Sequence, residues 1–345
     1  MIDRVESALQ HRDVVGASQT GRRGLGWSRR QWWASSQSSE RHHRVVDEVQ
    51  QECDNDRRVK AVQQSLQGQW TRWEGVQPRR LRWSDLQAIS PHRLSFLIRG
   101  VYDLLPTGAN LHRWGYASQP DCPLCRKVQT LDHVLSSCSV ALGQGRFTWR
   151  HNCVLRVLQT AVAARIAQAS PVRAATRKMQ FVREGVKIKK KTAQPKINAF
   201  DGADDWTLAC DLRGEGRYPR LIAKSGQRPD LVAVSLKAKR VVIVELTVPF
   251  EVRVLERHEY KTAKYEDLCQ DLRRAGFKVD FFAVEVGARG FAASSLLAFV
   301  RWMGGAATCR RSVLQKLTKA AEDSSYWIWC QRNTSLWQNS QPGEV

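Results

Sequence analysis

The chain has 345 residues, 42% of them hydrophobic, which is enough for two or three small domains with a real core and excludes a globally disordered protein. Its 55 Lys and Arg against 33 Asp and Glu give a formal net charge of +22, a field that suits a polyanionic partner. No window approaches the roughly 20 apolar residues that span a bilayer, and the charged start Met1-Ile2-Asp3-Arg4 lacks a secretory core, so the nine cysteines are expected as thiols in a reducing compartment.

In chain order, residues 1–66 are rich in Arg, Gln, Ser and Gly and are expected to be mostly disordered. The exception is a weak amphipathic helix over 44–66, carried by Val45, Val49, Val59, Val62 and Leu66. Residues 67–118 form a small, basic, helical module in which Trp70, Trp73 and Trp83 are expected in the core. Ser90-Pro91 announces a helix, with Ser as N-cap and Pro in the first turn; Leu94, Leu97, Ile98, Val101 and Leu105 continue it until Pro106 and Gly108. Residues 119–152 hold a cysteine cluster. In residues 153–200, Val154, Leu155, Leu158, Val162 and Ile166 predict a helix closed by Pro171, followed by a basic linker with Lys187, Lys189, Lys190 and Lys191. Residues 201–305 turn to mixed α/β: strands over 230–236 and 241–247, a helix over 256–275, a strand over 278–286 and a helix over 291–303. That order implies one sheet flanked by helices, and residues 306–345 add a terminal helix and a frayed tail.

Three of the nine cysteines cluster as Cys122-Pro123-Leu124-Cys125, then His133, then Cys138. Three thiolates and one imidazole complete a tetrahedral Zn²⁺ site with no open position, so the metal is structural rather than catalytic. Leu131, Val134 and Leu135 are expected to pack beneath a short helix bearing the last two ligands. Such a knuckle either touches nucleic acid or braces its neighbours, and the spacing allows both.

Asp230 opens one predicted strand, and Glu245 sits near the end of the next, after Val241-Val242-Ile243-Val244. An acid in such a run is costly unless something pairs with it. Two carboxylates at the ends of adjacent strands can hold Mg²⁺, whose bound water can attack a phosphodiester. Two positions on, where a lysine would complete the arrangement, stands Thr247. A replacement is offered by the following helix, where Tyr265, Leu268 and Leu272 fall within about 40° of Lys261 on a helical wheel and Lys264 lies about 60° away. The spacing equally allows a bland alternative: Asp230 as a turn acid and Glu245 paired with Lys261, without metal.

Together these residues resemble the C-terminal region of non-LTR retrotransposon reverse transcriptase proteins of the restriction-like-endonuclease type. The likeness covers roughly three quarters of the chain. It rests on Gln69-Trp70-Thr71-Arg72-Trp73, the Cys-Cys-His-Cys knuckle, Thr148-Trp149-Arg150-His151, Arg228-Pro229-Asp230-Leu231, Glu245-Leu246-Thr247-Val248-Pro249, and Lys261 with Lys264-Tyr265, in that order. The resemblance implies a PD-(D/E)xK restriction-endonuclease-like mixed sheet flanked by helices, preceded by a thumb-like helical module and a zinc knuckle. It also implies that the lysine has moved to the helix, with Lys261 and Lys264 both matching and their roles not separated. The implied activity is metal-dependent nicking of target DNA that primes reverse transcription, with catalytic Asp230, Glu245, Lys261 and Lys264, structural zinc and catalytic magnesium. Arg150, His151 and Arg228 are the expected nucleic-acid contacts, the partners DNA and possibly element RNA, the compartment the nucleus; no membrane and no small-molecule ligand are expected. No Tyr-x-Asp-Asp strand is present, so polymerase activity is not expected, and residues 1–66 match the family poorly, as in a truncated element copy or gene-model fragment. The competing expectation is a catalytically inert zinc-knuckle remnant that binds nucleic acid.

Overall fold

The computed structural model describes residues 37–79, 83–171, 198–212 and 226–337; residues 1–36 and the run around Lys187, Lys189, Lys190 and Lys191 lie outside these. The chain divides into two compact units, Met1–Thr71 and Arg72–Val345.

In the first unit, α1 (Ser38–Gln63) begins earlier and ends sooner than the apolar spacing suggests. Its support is local: Glu40 in the first turn and Lys60 in the last suit the helix dipole, and Arg44–Glu40 and Arg57–Asp54 pair along the surface. Of the residues expected to form its apolar stripe, Val59 and Val62 are exposed and Val49 is half-buried.

The second unit opens with α2 (Trp83–Gln87), α3 (Pro91–Val101) and α4 (Gly108–Arg113). Trp83, expected in a core, is 73% exposed, because α2 is a single short turn that buries none of its side chains. Trp73 does pack, edge-on to Phe291 with ring centroids 5.1 Å apart. Pro91 stands in the first turn of α3, but Ser90 caps it through backbone only, its carbonyl accepting from Leu94 N. The buried face of α3 carries Phe96 and Gly100, while Ile98 is exposed.

A π-turn (His133–Ser137) and α5 (Ser139–Gly143) lead into α6 (Arg146–Ala167). This helix starts well before the predicted apolar run, so the Thr148–His151 motif lies in its first turns. Val154, Leu155, Leu158 and Val162 of α6 are fully buried.

A four-stranded sheet follows in spatial order β1 (Thr207–Cys210), β2 (Leu231–Ser235), β3 (Arg240–Thr247), β4 (Lys278–Glu285). The first two pairings are antiparallel and β3–β4 is parallel, the crossover being α7 (Val254–Arg274). β1 was not legible in the sequence: a four-residue edge strand shows almost no alternation. β2 and β3 are buried on both faces, as a sheet covered by helices on both sides requires. Val232, Val234, Val241 and Ile243 pack against Tyr265, Leu268 and Leu272 of α7. Leu231, Ala233, Val242, Val244 and Leu246 face the other way, into a core with α6, α8 (Ser294–Met303) and α9 (Ala307–Cys330). No helix among the described residues is long and apolar enough to cross a membrane.

Candidate functional site: an acidic cleft edge beside a zinc knuckle

The knuckle is built by a tight reversal: Cys122 N donates to Lys127 O at 2.7 Å and Arg126 N to Cys122 O at 2.9 Å, with Arg126 in the left-handed region. The turn aims two sulfurs inward, and the π-turn supplies His133, whose Nε2 lies 3.2 Å from Cys125 Sγ, followed by Cys138. Leu131, Val134 and Leu135 are buried beneath, as expected. The ligand atoms of Cys122, Cys125, His133 and Cys138 all lie within 4.8 Å of one another. A tetrahedral zinc site with bonds of about 2.0–2.3 Å needs ligand atoms about 4 Å apart, so the four residues fit the ion. Burial pushes the Cys138 thiol up to about 11, with Cys122 and Cys125 adding to it, so a cation is needed to hold this sulfur as a thiolate. Burial lowers His133, keeping the imidazole neutral as a ligand must be.

The knuckle also forms part of a wall. A cleft of about 730 Å³ is lined by Ser136 and Leu142 from the knuckle side, Phe147, Thr148 and His151 from α6, Asp230 and Thr247 from the sheet, and Arg253, Arg257 and Lys261 from the α7 side.

Asp230 directly precedes β2, and since Leu231 pairs with Val244, the antiparallel register places Asp230 level with Glu245. Glu245 shares the α7-facing side of β3 with Val241 and Ile243. The two acids therefore meet: Asp230 N donates to Glu245 Oε2 at 3.1 Å. Lys261 Nζ donates to Glu245 Oε1 at 2.5 Å, as the helical wheel predicts. Asp230 Oδ2 accepts from Leu246 N at 2.7 Å and lies 3.3 Å from His151 Nε2, which is also 3.1 Å from Leu246 O. Both partners of that nitrogen are acceptors, so the proton sits on Nε2. Burial pulls His151 towards its neutral form, but the hydrogen bond and charge of Asp230 outweigh it and the net shift is upward. Thr247 Oγ1 is buried with no hydrogen-bond partner.

The Glu245 side chain is 3% exposed. Burial raises its pKa, the Asp230 charge raises it further, and Lys261 opposes both. A carboxyl raised on folding holds its proton more tightly in the native state, so stability falls as pH rises from the ordinary glutamate value of 4.5 through the raised one. Glu245→Gln is expected to flatten the fall of Tm with pH that sets in above the ordinary glutamate value of 4.5, in magnesium-free buffer. Equal gradients by circular dichroism in the two proteins would show that Glu245 does not carry it.

The other predicted residues divide. Lys264 turns away to Tyr265, its Nζ 3.3 Å from the hydroxyl and 4.8 Å from the ring centroid. Arg228 forms an ion pair with Asp211 at 3.2 Å. Arg150, expected on a phosphate, is only 2% exposed. Its Nη1 donates to Leu135 O at 2.7 Å and Ser325 Oγ at 3.1 Å, and its Nη2 to Val248 O at 2.9 Å. It is a strut joining the knuckle to the end of β3 and to α9, and although burial lowers its pKa to about 10 it stays charged. His151, one residue on, is the partner of Asp230. Sequence reasoning missed Arg253 and Arg257 on the cleft wall, although Arg253, Arg257 and Lys261 recur every four residues in the chain.

Among the described residues the Cys/His cluster is the one group of three or more metal-ligating side chains, the Asp230–Glu245 pair offering two carboxylates. No curated protein matches the chain. Residues 63–144 match a family model described as zinc-binding in reverse transcriptase. That stretch contains all four residues of the cluster, and the match and the ligand geometry together mark it as a retrotransposon reverse-transcriptase-associated zinc-binding domain.

Proposed function

We propose that the second unit is a PD-(D/E)xK-type endonuclease that nicks target DNA in the nucleus by magnesium-dependent phosphodiester hydrolysis beside a reverse-transcriptase-type zinc knuckle. The observation that carries this reading is the convergence of Asp230, Glu245 and Lys261 on one face of the sheet, with Asp230 and Lys261 at the wall of the cleft and Glu245 buried behind them. Two level carboxylates and an unsatisfied buried hydroxyl at Thr247 suit an oxygen-seeking cation, and Asp230 Oδ1 has no protein hydrogen bond among the described residues. Held there, Mg²⁺ would supply Lewis acidity and an activated water. Lys261 brings positive charge to where the attacked phosphate gains negative charge. His151 and Leu246 N hold Asp230 Oδ2, fixing the carboxylate's orientation. The supporting experiment is nicking of supercoiled plasmid by purified protein with magnesium: Asp230→Ala is expected to abolish it, and equal nicking by wild type and variant would end the nuclease reading.

A second reading has its own support. Both Glu245 oxygens already accept hydrogen bonds from the protein, as in a closed structural network. On that reading the chain is an inert remnant that binds nucleic acid, and binding survives Asp230→Ala while no nicking occurs in either protein.

A further inference from the structure

The first three turns of α7 segregate charge. On a helical wheel with Lys261 at zero, Arg257 lies at about −40° and Lys264 at about −60°, with Arg253 capping the helix, while Glu256 and Glu259 point outward at about −140° and 160°. Arg253, Arg257 and Lys261 line the cleft and recur every four residues, a spacing of about 6 Å along the axis. Arg253 is fixed by its ion pair with Asp132. The Arg257 side chain is 44% exposed, and its ion-pair contact, with Glu256, is as long as 3.9 Å. Three residues beyond Arg257, at about −100° and so at the outer rim of the stripe, Tyr260 presents its ring to solvent at 58% exposure. Across the cleft stand the exposed Leu142 and the ring of Phe147. A cleft of about 730 Å³ has room for a few rings.

We propose that this cleft is a groove for a single, unpaired strand of nucleic acid, its phosphates tracked by Arg253, Arg257 and Lys261 and a base stacked on Tyr260. The groove deepens the nuclease reading, on which it rests, by naming the form of the substrate strand. Cations that follow a backbone and aromatic rings that accept any base are the two components of sequence-tolerant single-strand binding.

The test is fluorescence anisotropy of the full chain with a labelled oligothymidylate of about 12 nucleotides and with a duplex of equal length, in magnesium-free buffer. Arg257→Ala is expected to reduce the salt slope for the single strand by about 0.7. Tyr260→Ala is expected to raise the single-strand Kd about five- to tenfold even at high salt, Tyr260→Phe to restore it, and the duplex Kd to change less than about twofold. Both side chains are exposed, so unchanged Tm values serve as the folding control. An unchanged single-strand Kd and salt slope in both alanine variants would overturn the groove, as would an equal loss for duplex. The plasmid assay separates the two readings. Shifts in Kd without any nicking leave the groove standing and remove the nuclease, whereas Asp230-dependent nicking with an indifferent Kd removes the groove alone.

Discussion

Serine at Cys138 is expected to cost the protein its zinc and, with it, the wall of the cleft. Wild type should carry about one zinc per chain and the variant almost none, because three remaining ligands cannot close a tetrahedral site. Zinc binding free energy is folding free energy wherever the site is not preformed, on the order of 10 kcal/mol in isolated fingers. The loss should lower Tm by on the order of 10 °C even if most of that energy is recovered by relaxation. The effect should not stay local. Leu135 O accepts from Arg150, which also holds Val248 O just beyond β3, and Asp132 pairs with Arg253 at the start of α7. When the π-turn moves, both arginines lose an anchor, and Arg150 becomes a buried cation short of a partner. Nicking should therefore fall together with zinc content although no ligand touches the acid pair. A Cys138→Ser protein with wild-type zinc content and Tm would refute the site.

How far the sequence carried the reading depended on whether a property was local. The Cys122-to-Cys138 spacing holds its whole geometry within one short segment, and β3 declares itself through consecutive β-branched residues whose burial on both faces leaves no choice of side. The meeting of Asp230 with Glu245 follows from a hairpin-like register across a short polar turn, so two strands read separately were enough to place it. Lys261 was found because helical periodicity fixes a face. Arg150 is the opposite case. A basic residue beside a histidine looks like surface, and its burial is decided by three acceptors from Leu135, Val248 and Ser325, the last 175 positions away in the chain. Glu285, buried at the end of β4 and held by His258 and Ser295, was equally hidden, since nothing in its neighbours announces either partner.

The same kind of long-range pairing gives the second large effect. Glu251, just after β3, and Arg289, just after β4, are both buried, and Arg289 Nε donates to Glu251 Oε2 at 2.6 Å. Arg289 N donates to the other carboxylate oxygen at 2.7 Å, and Arg289 Nη1 to Gly100 O on α3 at 2.9 Å. The guanidinium is sandwiched between the rings of Trp73 and Phe250, 4.2 and 4.1 Å from their centroids. Through Gly100 and Trp73 the helical module before the knuckle is thus anchored on this ion pair, beside its backbone bonds at Gly75 and Gln77 and the pairs of Arg79 and Arg93 with Glu322. Space for the carboxylate depends on Gly287, where a methyl group would come within 2.7 Å of Glu251 Cγ. Glu251→Ala should cost about 3–5 kcal/mol, because it leaves a buried guanidinium without its counter-charge. Arg289→Met alone should cost a similar amount by stranding the carboxylate. The double variant should cost clearly less than the sum, since it strands neither charge and leaves only neutral backbone groups to be rehydrated. Urea unfolding of the four proteins measures this directly. Additive losses would mean that Glu251 and Arg289 are merely neighbours and that the module is fastened by its other contacts, such as the pairs of Arg79 and Arg93 with Glu322.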